Sequence, residues 1–247
     1  MMIYAKTDIG KVRKTNEDCY DFEVINEEVA WALVCDGMGG TEFGEIASNM
    51  AKSIVRREIG DYLLDCDFKE TTDENIKNKM IESLKLANKE IFKESLSEKY
   101  FNSMGTTAVL AVVCRDILHV VHVGDSRAYL ISKENVERLT QDHSVVEELV
   151  KSGKITDAEA KTSPQKNIIT RALGVNENIE VDYTKLALKK DASIFLCTDG
   201  LSNYIEPKEL IFYFLKYGKD DFLNELVKRA NSLGGKDNIT ALLISRE

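Results

Sequence analysis

The chain alternates between two kinds of hydrophobic pattern. Residues 19–25, 29–35, 106–114, 117–123, 126–132, 192–197 and 239–245 are runs rich in Val, Ile, Leu and Phe, bounded by polar or turn residues. Such runs predict β-strands. Short turns join several of them, including Arg115-Asp116 and Gly124-Asp125, the latter with Gly first as a type II′ hairpin prefers. Elsewhere the period changes to that of a helix. Ile76, Met80, Leu84, Ala87 and Ile91 fall on one face of 73–97, and Ile46, Met50 and Ile54 on one face of 45–59. These stripes are read as core-packing faces. Strands joined by hairpins, with helices between them and no βαβ crossovers, predict an α+β fold in layers, which helices packed outside two stacked sheets would satisfy.

No break in composition and no Pro/Ser-rich linker divides the 247 residues, so one domain spanning 1–247 is expected. With 43% hydrophobic residues and only two prolines, the chain can build a substantial core. No apolar run is long enough to cross a bilayer, and the start, MMIYAKTDIGK, lacks the pattern of a signal peptide. A cytoplasmic, monomeric protein is expected. The net charge of −9 argues against nucleic acid or anionic membrane as a partner and suits a protein that collects cations. The five cysteines, Cys19, Cys35, Cys66, Cys114 and Cys197, form no CxxC pair and are read as reduced, core-filling thiols.

Charge changes the picture at VCDGMGG, residues 34–40, where an apolar strand runs straight into Asp36. A carboxylate is costly to bury unpaired. Folding the first hairpin about Glu27 sets Asp18 opposite Asp36. The format recurs in IFLCTDG, ending on Asp199, and in GGKDNITALLIS, which places Asp237 before another strand. If those strands are antiparallel neighbours, Asp199 and Asp237 share an edge. Asp125 sits at a further expected hairpin tip. Gathered carboxylates raise one another's pKa unless cations separate them. With oxygen ligands and no Cys or His-x-His cluster, the expected cations are Mg²⁺ or Mn²⁺. The glycines at 37, 39 and 40 are read as a sharp turn that brings carbonyls close to an ion.

In order along the chain, TDIGKVRKTNED, CDGMGG, GEIAS, MGTT, HVGDSRAYL, LTQDHS, NIITRALG, LCTDGLS and GGKDNITAL resemble the motifs of the bacterial PP2C-type, or PPM, metal-dependent protein serine/threonine phosphatases. The resemblance implies a β-sandwich flanked by helices (α-β-β-α), with two metal ions at one end and a flap at about 143–174. It implies that Asp36 bridges both ions and that Gly37 lends its carbonyl. Asp199 and Asp237 would complete one ion's shell, with Glu17 and Asp18 serving the other. Asp125 with Asp199 matches a third-ion position, Arg13 the phosphate-binding arginine, and Asn238 follows Asp237 in the last motif. The implied reaction is attack of a metal-bridging water on phosphoserine or phosphothreonine in proteins, opposing a bacterial-type Ser/Thr kinase. One departure stands out: many relatives carry His after GMGG, where this chain has Thr41. His119 and His122, inside an apolar strand, are read as packing residues. Two alternatives stay open, a catalytically weak scaffold that binds phosphoproteins and a phosphatase of small phosphate esters.

Overall fold

In a computed structural model of the chain, the structure describes residues 1–39, 43–97, 104–189 and 191–246. Its strands are β1 (Met2–Asp8), β2 (Asp18–Val24), β3 (Val29–Met38), β4 (Gly105–Thr106), β5 (Ala108–Cys114), β6 (Ile117–Val123), β7 (Arg127–Ile131), β8 (Val136–Arg138), β9 (Asp182–Ala187), β10 (Ser193–Cys197) and β11 (Ile239–Ser245). The helices are α1 (Phe43–Val55), α2 (Asp61–Asp65), α3 (Asp73–Ser95), α4 (Val145–Lys151), α5 (Asp157–Thr162), α6 (Asp199–Ser202) and α7 (Pro207–Ser232), with a π-helical turn at Arg56–Gly60 after α1. One sheet runs β1-β11-β10-β7-β8 and the other β2-β3-β5-β6-β9, with β4 against β3. Every pairing between these strands is antiparallel.

The apolar runs are uninterrupted because the central strands are buried on both faces. Successive side chains of a strand point to opposite sides. In β3, Trp31, Leu33 and Cys35 pack under α1 and α3, while Ala32 and Val34 face the other sheet. In β11, Ile239, Ala241 and Leu243 pack under α7, while Leu242 and Ile244 meet Val34, Val109 and Val120 in the layer between the sheets. The order of layers is therefore helix, sheet, sheet, helix, as expected. Cys19, Cys35, Cys114 and Cys197 are buried, Cys66 is partly so, and all five are free thiols.

Two local expectations change and one holds. The Arg115-Asp116 turn does close the β5–β6 hairpin, with Arg115 in the left-handed region at φ 58°. Gly124-Asp125 closes no hairpin: β6 lies in one sheet and β7 in the other, so these residues carry the chain between sheets. Gly124 has φ 105°, and a Cβ there would meet Thr107 Cγ2 at 2.5 Å. The strand from Val29 continues through Asp36 and Gly37 to Met38, pairing with β4, so the turn expected at Gly37 comes later. The edge strands β1 and β9 and the long α7 are absent from the sequence expectations. β1 and β9 lie at sheet edges, each paired with one neighbour only and mostly half-buried, and α7 is broken at Gly218, which has φ 66° and ψ −175°. Among the described residues no helix is long and apolar enough to cross a membrane.

Leu242→Ala, in the layer between the sheets, is expected to cost about 2–5 kcal/mol in urea unfolding, whereas Leu215→Ala on the exposed side of α7 costs under about 0.5 kcal/mol.

Candidate metal centre

The two sheets present their charged ends together. In one sheet the register sets Asp18 directly across from Asp36. In the other, β10 and β11 are neighbours with Cys197 opposite Ala241, so Asp199, two residues beyond Cys197, and Asp237, two before β11, lie at the same end. The β6–β7 crossing delivers Asp125 there as well. Asp36 feels the charges of Asp18, Asp199, Asp125 and Asp237.

Neutral groups hold these segments in place. Thr198 Oγ1 donates to Asp18 Oδ2 at 2.9 Å and accepts from Thr240 N–H at 3.0 Å. Thr107 Oγ1 accepts from Asp36 N–H at 3.0 Å and shares a hydrogen with Ser126 Oγ at 2.7 Å, linking the Asp36 strand to the residue after Asp125. Asn238 Oδ1 accepts from Glu17 N–H, while its Nδ2 donates to the carbonyls of Ile9 and Thr15, so one amide fixes the loop that carries Arg13. Ser48 Oγ donates to the Glu17 carbonyl at 2.7 Å. Of these, the sequence reading singled out only Asn238. The threonines and Ser48 lay in motifs, but nothing local marked them as supports.

Two of the Asp-Gly pairs reflect close backbone crossing. A Cβ on Gly37 would lie 2.1 Å from the Gly44 carbonyl oxygen, and one on Gly200 only 1.8 Å from that of Asn238. Both acids are thereby set where two chain segments touch.

The electrostatics are those of a site built for cations. Burial pushes the Asp18 carboxyl up to about 7, with Asp199 and Asp237 adding to it against hydrogen bonds from Thr240 and Thr198. Burial and the charges of Asp199 and Asp142 push Asp125 up to about 8. Asp36 rises well above the usual range through burial and then its neighbours' charges, and Asp199 rises through burial and Asp237. Burial likewise raises Glu17, opposed by Arg13. Glu17 Oε1, Asp18 Oδ1 and Asp125 Oδ1 are buried without a hydrogen-bond partner among the described residues. Unpaired oxygens of this kind, on acids that repel one another, fit hard divalent cations. Arg13 Nη2 donates to Asp237 Oδ2 at 2.8 Å and its Nη1 stands 3.9 Å from Glu17 Oε2. It is half exposed at the rim; burial lowers its pKa, but the hydrogen bond to Asp237 and the charges of Asp237, Glu17 and Asp36 together raise it. Thr41 lies outside the described residues. His119 and His122 are buried as expected, but each also hydrogen-bonds, to Tyr183 Oη and to the Gln141 carbonyl.

The sequence profile described as Protein phosphatase 2C matches residues 11–243. The chain belongs to the protein phosphatase 2C family. It is 38% identical over 248 residues to the serine/threonine phosphatase stp of Listeria monocytogenes, covering 98% of this chain and 94% of that one. The S. agalactiae serine/threonine phosphatase structure matches with a TM-score of 0.90 at 33% identity, covering 100% of this chain and 99% of that one. The catalytic domain of the phosphatase PstP, in complex with two manganese ions, matches with a TM-score of 0.83 at 26% identity over 98% of this chain and 96% of that one. The acid-lined end of the sandwich is thus part of a protein phosphatase 2C fold.

The crowding of these acids has a consequence for stability. A carboxyl whose folded pKa is raised binds extra protons when folded, so its contribution is present at low pH and lost as pH rises through the folded value. For Asp18 and Asp125 that loss runs up to about 7 and about 8. The buried histidines, with lowered pKa values, act in the opposite sense below 6.5. Chelated protein is therefore expected to lose thermal stability between pH 6.5 and 8, and saturating Mn²⁺ to remove that slope. A flat or rising melting temperature in chelator would contradict the crowding.

Proposed function

We propose that this chain hydrolyses phosphoserine and phosphothreonine in proteins with the help of Mn²⁺ or Mg²⁺ ions held by Asp36, Asp199, Asp237, Glu17, Asp18 and the Gly37 carbonyl, with Asp125 and Asp199 offering a third position. The observation that carries it is the meeting of carboxylates from both sheets at one end of a protein phosphatase 2C fold, with Glu17, Asp18 and Asp125 each keeping a buried oxygen without a hydrogen-bond partner among the described residues. Ions bound there supply a lowered pKa for water and positive charge against the phosphoryl oxygens. The chain's own groups do the rest. Arg13 offers forked donors to phosphate oxygens once its guanidinium turns from Asp237. The hydroxyl and amide supports hold the carboxylates at fixed spacing, so that little reorganisation accompanies the reaction.

Relatives named serine/threonine phosphatase support phosphoproteins as the substrates; a Ser/Thr kinase as the enzyme this one opposes belongs to the same proposal. A cavity of about 350 Å³ supports a macromolecular substrate. It begins at Asp125 and Asp199 and runs between α4, α5 and the start of α7, with Lys161 and Glu206 paired across those elements at 2.6 Å. It would receive residues flanking the phosphorylated side chain, with 143–174 acting as the flap. A cytoplasmic monomer is part of the same reading.

The test is phosphate release from a phosphothreonine peptide, with and without chelator, against sugar phosphates. Release that needs Mn²⁺ and favours the peptide is expected. Peptide binding without turnover would instead indicate a scaffold, and preference for sugar phosphates a small-ester phosphatase. Asp36→Asn and Asp199→Asn are each expected to lower turnover by more than about 10²-fold with the circular dichroism spectrum retained. Arg13→Ala is expected chiefly to raise KM, by roughly 10- to 100-fold for loss of a charge-assisted contact. An unchanged KM would return Arg13 to the surface.

A further inference from the structure

Behind Asp125 lies a cluster that the reading above leaves without a role: His122, His143, Arg171 and Asp182. Donor atoms of the two histidines and Asp182 lie within 4.8 Å of one another, close enough to suggest a second metal site. The hydrogen bonds argue otherwise. His143 Nδ1 accepts the Gly124 N–H at 3.0 Å, so the neutral ring carries its proton on Nε2, which lies 3.4 Å from Asp182 Oδ2 and 3.1 Å from Arg171 Nη1, the guanidinium that Asp182 itself holds. Neither nitrogen then has a lone pair free for an ion. The positive charge near Asp182 is already supplied by Arg171, whose Nη1 donates to Asp182 Oδ1 at 2.6 Å. His122 commits its Nε2–H to the Gln141 carbonyl at 2.8 Å.

What the cluster does hold is a peptide. The His143 backbone N–H donates to the Gly124 carbonyl at 2.9 Å, while the His143 ring accepts from the Gly124 N–H. Both polar groups of Gly124 are therefore clamped by one residue. The ring is confined, its side chain 8% exposed and stacked on His122 with centroids 4.7 Å apart. On the opposite side, Thr107 Cγ2 leaves Gly124 no room for a side chain. Asp125 is the next residue, a buried acid with an unpaired Oδ1, set on the crossing between the sheets. Burial holds the His143 imidazole at a pKa of about 4, with His122 and Arg171 contributing and Asp182 opposing, so it stays a hydrogen-bond acceptor at neutral pH.

We propose that His143 is a positioning residue for Asp125: its ring nitrogen and backbone N–H clamp Gly124, the Gly124 N–H sets the ring's tautomer and Asp182 faces the protonated Nε2, so that the Asp125 carboxylate is presented to a divalent cation. The inference rests on the assignment of Asp125 as a metal ligand. The clamp acts on ion binding through one ligand. It does not touch the substrate.

Mn²⁺ titration calorimetry on the full chain tests it, with circular dichroism as a check on folding. Asp125→Asn is expected to abolish the weakest Mn²⁺ binding step, and the absence of any effect would overturn both the ligand assignment and the clamp. His143→Phe keeps a stacked ring but removes the acceptor, and is expected to weaken the same step about 10- to 100-fold while leaving tighter steps within about threefold. His143→Asn places an amide oxygen near the position of Nδ1 and is expected to restore affinity to within about threefold of the parent. In the Asp125→Asn background, His143→Phe is expected to add nothing further, because a residue acting through another is non-additive with it. Asp182→Asn, at the partly exposed rim, leaves the imidazole in place and is expected to weaken the same step by less than His143→Phe does. If Asp125→Asn removes a binding step that His143→Phe and Asp182→Asn leave intact, or if His143→Asn fails to rescue, the clamp is overturned while Asp125 keeps its role.

Discussion

Repulsion among buried carboxylates is the constraint around which this end of the molecule is arranged. Asp18, Asp36, Asp125 and Asp199 sit where burial and mutual charge raise their pKa values, with Asp237 adding to the field. Left to relax, such a group would spread apart or become protonated. Here it is prevented from spreading by neutral groups on neighbouring segments: Thr198 on Asp18, Thr107 on the Asp36 peptide and Asn238 on the Glu17 peptide. The frame stores the repulsion that cations relieve, and the same stiffness keeps the ligand oxygens at fixed spacing when an ion arrives.

The frame is stiff because its strands are gripped on both faces. Each central strand contributes alternate side chains to the layer between the sheets and to the layer under the helices. A close-packed interior of this kind resists small displacements. Only the strand ends escape it, and there the charged residues gather. Where segments from distant parts of the chain must touch, the contacts are backbone to backbone, as at Gly37 on Gly44 and Gly200 on Asn238. Those glycines act as spacers between segments, which is a different task from making turns.

The site is asymmetric in how its acids are supported. Asp18 and Asp36 face each other across regular strand pairing, and Asp199 and Asp237 flank a second such pair. Asp125 has no ladder partner, since its strand changes sheets just there. Its support comes instead from side chains, through Thr107 and Ser126 on one side and His143 on the other. An ion bound by Asp125 would therefore answer to His143, which directly precedes the stretch 144–166 whose residues line the cavity beside the site. That arrangement connects Asp125 to the cavity proposed to receive the substrate.

Much of this was legible from local pattern. The hydrophobic runs marked β3, β5, β6, β10 and β11, and counting residues about Glu27 already set Asp18 against Asp36, because antiparallel register across a short hairpin is a local property. The order of motifs was enough to suggest the family, which the profile over 11–243 shows. Other features depend on partners remote in sequence. The edge strands β1 and β9 carry weak patterns because one side of each is open, and Gly124-Asp125 resembled a hairpin until β6 and β7 were found in different sheets. The roles of Thr107, Thr198 and His143 depend on contacts with residues 19 to 180 positions away, and no local spacing encodes those. Amino-acid order by itself determined which residues carry charge and which strands bury both faces, since both follow from side-chain chemistry and a period of two. Tertiary structure alone decided which hydroxyl, amide or imidazole holds each carboxylate, because such contacts arise only once two sheets and their connecting loops are packed together.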